Sequence, residues 1–232
     1  EQTKLTSPDT GVADFAYNAA GLLASKKDAN DTAAHTYTYD ALGRMRTVSY
    51  GTGASDVEYV YDTVNPACTT GETFAAGRVT TMRTDGIELL YCYDRFGQVV
   101  RKTQTVAGKS FTLRYAYTSA GQLKSLTYPD NTVVDYVRDN RARIKEIGVR
   151  PNTGARSVLL TSAAYEPFGP VTGWTYGNGR TLNRSCDLDY RAKTVLDNAS
   201  GGLSLGYGYD NASELTELKD GLGISATAME QE

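Results

Sequence analysis

The sequence has little of what most chemical sites are made from. It contains a single histidine, His35, among 232 residues, so any Ser-His-Asp or Cys-His nucleophilic centre would have to form around that one side chain. His35 stands two residues before Tyr37 in a strand-like stretch, where it reads as a strand residue facing solvent or a neighbouring tyrosine. Cysteine is scarce too: Cys68, Cys92 and Cys186 are an odd set at wide spacing, with no Cys-x-x-Cys pair. That pattern suits neither a disulfide framework nor a zinc site, and mostly free thiols are expected. No metal and no cofactor is expected.

Long apolar runs are missing as well. No stretch approaches the ~20 apolar residues that a membrane helix needs, and Glu1-Gln2-Thr3-Lys4 does not open a signal peptide. A start at Glu1 rather than Met points to a processed product or a piece of something longer. Positive charge is not in excess either: 24 Lys and Arg face 27 Asp and Glu, for a net charge of −3. The basic residues are scattered and generate no field that would hold a phosphate backbone, so nucleic acid is not an expected partner. One Trp and three Met against 17 Tyr and 23 Gly tilt the composition toward strands and turns rather than helices.

What the sequence does have is internal repetition, which decides the fold before any other feature. An aromatic pair, an acidic or amide residue and a later Gly recur as Phe15-x-Tyr17-Asn18-x-x-Gly21, Tyr37-x-Tyr39-Asp40-x-x-Gly43, Tyr91-x-Tyr93-Asp94-x-x-Gly97 and Tyr115-x-Tyr117-Thr118-x-x-Gly121. Tyr207-x-Tyr209-Asp210-x-x-Ser213 is the last clear copy. Tyr136 with Asp139 and Ala142, Tyr165 with Glu166 and Gly169, and Asp187 with Tyr190 are degenerate copies. Tyr59-x-Tyr61-Asp62 opens another, whose Gly is displaced to Gly77 by an insertion near 63–77. Turn-opening positions 18, 40, 62, 94, 118, 139, 166, 187 and 210 keep a period near 22 residues. That length fits two strands of about 7 residues, a tight turn and a short return loop.

The letters of the unit have physical reasons. Ile87, Leu89, Tyr91 and Tyr93 alternate onto one face, as do Phe111, Leu113, Tyr115 and Tyr117, and Leu203, Leu205, Tyr207 and Tyr209. Asp opening a turn accepts hydrogen bonds from backbone N–H groups further on, and Gly three residues later takes φ > 0 without steric cost. Asp-x-x-Gly is thus a type I hairpin turn with a Gly bulge. A second set of turns, including Asp85-Gly86, Pro129-Asp130-Asn131, Gly177-Asn178-Gly179 and Ser200-Gly201-Gly202, falls between these. The expected fold is all-β, a continuous meander of antiparallel hairpins. Its parts are a lead-in at 1–11, about nine repeats over 12–220 and a tail at 221–232.

Each Asp sits where a hairpin turn wants one, which makes the series structural rather than a set of catalytic carboxylates or calcium ligands. The tyrosines allow two readings: a packing ladder between hairpins, or a row of rings that stacks on sugars. Because the pairs share a face with Leu, Ile and Phe, the ladder is preferred.

These Tyr-x-Tyr-Asp-x-x-Gly-Arg-like units, the Tyr128-Pro129-Asp130 turn and the Tyr176-Gly177-Asn178-Gly179 hairpin followed by Asp187 and Arg191 resemble bacterial RHS repeats, also called YD repeats, over roughly residues 12–220. The resemblance implies a curved, spiralling sheet that forms part of a hollow shell around a toxin domain. It also implies a chain secreted or delivered out of a bacterial cell, with partners in adjoining parts of the same shell polypeptide or a second shell chain, and in the enclosed toxin. The family's self-cleaving core segment and its toxin domains have no counterpart in these residues, so no catalytic role is carried over and the chain is not expected to be an enzyme. The alternative is a secreted or surface adhesin that binds carbohydrate. A sheet of this kind leaves open edges, expected at or near Phe15–Tyr17 and Leu203–Tyr209.

Overall fold

In a computed structural model, residues 1–51 and 56–220 are described, together with the backbone of 225–227. Most of the expected tail at 221–232 lies outside them. The chain divides into two compact units, Glu1–Ala116 and Tyr117–Glu232.

The first unit is a meander of consecutive antiparallel strands: β1 (Lys4–Ser7), β2 (Gly11–Tyr17), β3 (Leu23–Lys27), β4 (His35–Tyr39), β5 (Met45–Ser49), β6 (Val57–Tyr61), β7 (Val79–Thr84), β8 (Ile87–Tyr93), β9 (Val99–Val106) and β10 (Lys109–Tyr117). The second continues the pattern with β11 (Leu123–Thr127), β12 (Val133–Arg138), β13 (Ile144–Arg150), β14 (Ser157–Tyr165), β15 (Val171–Tyr176), β16 (Thr181–Cys186), β17 (Ala192–Asp197), β18 (Ser204–Tyr209), β19 (Leu215–Asp220) and β20 (Ser225–Thr227). The fold is all-β, built of tandem antiparallel hairpins.

The lead-in is itself structured, since β1 pairs along β2 from Lys4↔Asp14 to Ser7↔Gly11. Phe15–Tyr17 is therefore an inner strand segment, and β18 lies between β17 and β19. Among the described residues, the edges expected at these two places are displaced outward by one strand at the start and two strands at the end. The sequence reading placed them too far in because neither β1 nor β20 carries the aromatic pair.

Register shifts by one residue at Ala16/Tyr17, Thr38/Tyr39, Val60/Tyr61, Cys92/Tyr93, Val137/Arg138, Ser185/Cys186 and Gly208/Tyr209. Each bulge lies at the last residue before a turn, and bulges there increase local twist.

Buried side chains are few among the described residues: Val48, Ala75, Leu90 and Cys92 of the apolar ones, Thr80, Thr81 and Arg101 of the polar ones. Six of these seven fall between residues 75 and 101, where the insertion folds back over the sheet.

The insertion also overturns the cysteine expectation. Cys68 and Cys92 form a disulfide, with Cα atoms 5.6 Å apart, while Cys186 is free. Sequence spacing hid the pair because 24 residues separate the partners and only the fold-back of the insertion brings them together. His35 meets Tyr50 edge-on, with ring centroids 4.9 Å apart, and lies 3.7 Å from the Asp31 carboxylate.

Candidate functional site

The distinctive chemistry of the chain lies at the Asp turns and in the contacts that pass from one hairpin to the next. At six of the nine turns one side-chain oxygen of the opening residue receives two backbone N–H groups at 2.9–3.0 Å: Asn18 from Ala20 and Leu22, Asp40 from Leu42 and Arg44, Asp94 from Phe96 and Gln98, Asp139 from Arg141 and Arg143, Asp187 from Asp189 and Arg191, Asp210 from Ala212 and Glu214. The fourth turn residue lies in the left-handed region at Gly21, Gly43, Gly97 and Gly121, with φ of 76° to 80°. Ala142, Tyr190 and Ser213 hold the same conformation at 63° to 68° without glycine's freedom.

Three members depart from this geometry. Thr118 receives the Gln122 N–H on its hydroxyl at 3.2 Å. Gly169 is not among the positive-φ glycines; a Cβ there would lie 2.4 Å from the Tyr190 ring of the next turn, so this glycine is required by close approach. Asp62 sits at φ 64°, and its N–H reaches across the insertion to the Arg78 carbonyl. Asp40 makes the equivalent bond to Arg44 only four residues away. The insertion is thus an enlarged Asp turn, closed by the Gly77 N–H on the Asp62 carboxylate at 2.6 Å.

The second aromatic of a unit binds the preceding hairpin. Its hydroxyl donates to a backbone carbonyl at the start of the earlier returning strand: Tyr39 to Leu23 at 2.8 Å, Tyr61 to Met45 at 2.8 Å, Tyr93 to Val79 at 2.6 Å and Tyr165 to Ile144 at 2.6 Å. Tyr17 donates to the Gln2 carbonyl at 3.1 Å. Where the tyrosine is replaced, at Arg138, the guanidinium makes the equivalent bond to Leu123 at 3.1 Å.

An arginine that directly follows the turn makes the complementary reach forward. Arg44, Arg78, Arg143 and Arg191 lie over the rings of Tyr61, Tyr93, Tyr165 and Tyr209 at 4.3, 5.7, 4.6 and 4.8 Å from the centroid. Nε of Arg44, Arg143 and Arg191 is paired with Asp40, Asp139 and Asp187 of the same turn at 2.7–2.8 Å. Arg44 also holds Asp62 of the next turn at 2.6 Å. Burial alone would raise the carboxyls of Asp40, Asp139 and Asp187. The backbone N–H donors and the paired arginine outweigh it and hold all three below the ordinary range. Asp62 is lowered first by Arg44 and then by the Gly77 amide. Burial pushes the phenols of Tyr61 and Tyr93 up, which keeps them as donors.

The first aromatics pack differently. Tyr37, Tyr59, Tyr91 and Tyr207 stand opposite Val48, Met82, Lys102 and Leu218, and Tyr115 and Tyr117 lie half-buried at the end of β10. Arginines lie over the rings of Tyr61, Tyr93, Tyr165 and Tyr209, and the hydroxyls of Tyr39, Tyr61, Tyr93 and Tyr165 are committed to carbonyls, which favours the packing ladder over a sugar-stacking row. Sequence reasoning found the tyrosines and the turn acids but not the arginines' double role. Its trace is the recurrence of Arg after the fourth turn position in Gly43-Arg44, Gly77-Arg78, Ala142-Arg143 and Tyr190-Arg191.

The RHS Repeat family profile matches residues 17–55 and 93–133. No curated protein matches the chain. Among solved structures, the TcdB2-TccC3 crystal structure has a TM-score of 0.82 at 13% identity, covering 95% of this chain and 12% of that one. The TcdB2-TccC3-Cdc42 crystal structure gives 0.80 at 13% identity, over 94% and 12%. The Photorhabdus luminescens Tc holotoxin pore gives 0.81 at 12% identity, over 95% and 12%. At such identities the likeness is one of fold, and the chain spans about 12% of the length of the structures it matches. The matched stretches begin at Tyr17 and Tyr93, two of the tyrosines that bind back to the preceding hairpin. With the period, the turns and the ladder, these matches show that the chain carries RHS repeats, at residues 17–55 and 93–133.

Proposed function

We propose that the chain is a non-catalytic repeat segment of an RHS-type shell that encloses a toxin cargo, protects it and helps deliver it out of a bacterial cell. The observation that carries this reading is the ladder itself. Tyrosine hydroxyls at Tyr39, Tyr61, Tyr93 and Tyr165 fasten hairpins to the one before, and Arg44, Arg78, Arg143 and Arg191 fasten hairpins to the one after, so the array extends by adding units and needs no central core. Such a wall suits enclosure better than catalysis, which gathers reactive groups in one pocket. The fold likeness to Tc toxin structures supports the same reading.

The proposed partners are adjoining parts of the same polypeptide or a second shell chain, together with the enclosed toxin domain. Exposed apolar side chains at the Asp-turn tips, Leu42, Phe96, Phe168 and Leu188, with relative exposures of 76%, 71%, 96% and 100%, support contact with adjoining parts of a larger assembly, where such groups become covered.

Protease challenge of the full polypeptide that carries this chain tests the reading. A non-repeat segment of that polypeptide should resist digestion until the repeats are unfolded by denaturant. Digestion of every non-repeat segment at the rate of an unfolded chain, with the repeats intact, would contradict enclosure.

A further inference from the structure

The insertion between Asp62 and Arg78 is held to the sheet in an unusual way. It lies against β8 and β9 on the side bearing Leu90 and Cys92, yet most of its residues stay exposed, including Val64 at 41% and Phe74 at 45%; Ala75 is its one buried apolar side chain. Its attachments are polar or covalent. Arg101, itself 8% exposed, binds Glu72 at 2.7 Å, the Ala67 carbonyl at 2.7 Å and the Thr69 hydroxyl at 3.3 Å. Backbone bonds join Tyr93 to Glu72 and Phe74 at 3.2 Å. The covalent attachment is Cys68–Cys92. Cys68 is half-exposed on the insertion, whereas Cys92 is 1% exposed beneath it.

We propose that Cys68–Cys92 is a redox latch: reduction releases the insertion from the β8–β9 face and uncovers Cys92 and Leu90, while the hairpin ladder stays folded. Access dictates the order of events. A thiolate of a dithiol reductant attacks Sγ of Cys68, forming a mixed disulfide there and expelling Cys92 as a thiolate. Arg101 stands directly opposite Cys92 in the β8–β9 pair, and a guanidinium favours a thiolate leaving group. The reductant's second thiol then displaces Cys68 and closes its own disulfide. Both cysteines end as protonated thiols, two electrons having passed from the dithiol to the protein. With little apolar area of its own to keep it down, the freed insertion trades its polar contacts for water.

Maleimide labelling of the folded, full chain before and after a dithiol reductant tests this, with hydrogen exchange in the same samples. The oxidised protein should label once, at Cys186, and the reduced protein three times. Amides of residues 65–77 should lose protection on reduction, while those of β4–β6 and β16–β18 keep theirs. Two labels, with Cys92 still blocked, would mean the polar contacts hold the insertion and would overturn the latch. A single label after the reductant would overturn it too. So would three labels with protection lost throughout, which would make the disulfide a staple of the whole fold.

Discussion

The guanidinium of Arg44 stands 4.3 Å from the ring centroid of Tyr61, an aromatic that belongs to the next hairpin. The same arginine is paired with Asp40 in its own turn and Asp62 in the next. One side chain thereby ties two repeats by charge, by planarity and by contact with a π face.

Replacement of Arg44 separates these contributions. Arg44→Ala should lower the urea midpoint, because it removes a cation–π contact and a planar charge pair together. Arg44→Lys should restore less than half of that, because an ammonium cannot bond two carboxylates bidentately and still lie flat on a ring. Urea midpoints at low salt read both values. A lysine variant as stable as the wild type would show that charge alone matters.

Tyr61→Phe removes only the hydroxyl that donates to Met45. Stability should fall by about 0.5–1.5 kcal/mol, with the loss in hydrogen-exchange protection concentrated in β5 and β6. A loss spread evenly over the chain would argue against coupling between neighbours.

Gly97 combines φ +80° with a site where a Cβ would touch the Arg78 guanidinium. Gly97→Val should cost on the order of 1 kcal/mol more than Gly97→Asn, since asparagine tolerates the left-handed region and a β-branched residue does not. Both variants displace the end of Arg78, so that cost cancels in the comparison. Equal denaturant midpoints would contradict the bulge geometry.

Acid should weaken the ladder. The carboxyls of Asp40, Asp62, Asp139 and Asp187 are lowered from an ordinary value near 3.8 in the folded chain. Their contribution to stability is therefore present above that ordinary value and is lost as pH falls through the lower folded values. Urea midpoints should be steady from about pH 7 to about pH 5 and drop below about pH 4. Asp187→Asn should start lower and fall less steeply. A slope identical to the wild type would remove Asp187 from the account.

Much of this was legible in the sequence, and the reasons differ by feature. The period, the all-β class and the turn acids could be read because Asp-x-x-Gly and alternating aromatics act within a few residues of themselves. The arginine–tyrosine stacks are as regular, but they join residues about a repeat apart, 17 positions for Arg44 and Tyr61, and such pairing shows only when hairpins are laid side by side. The requirement for Gly169 was legible, though its cause was not: the space is taken by Tyr190 from another turn. The disulfide was beyond reach because the insertion that delivers Cys68 to Cys92 follows no repeat.

The central claim, that these hairpins are wall segments of a shell, is tested most directly by imaging. Single-particle cryo-electron microscopy of the full polypeptide carrying this chain should show the hairpins joined edge to edge in a sheet that bounds a cavity with non-repeat chain inside it. Hairpins of this chain lying in an open array, with every non-repeat segment outside it, would contradict the account.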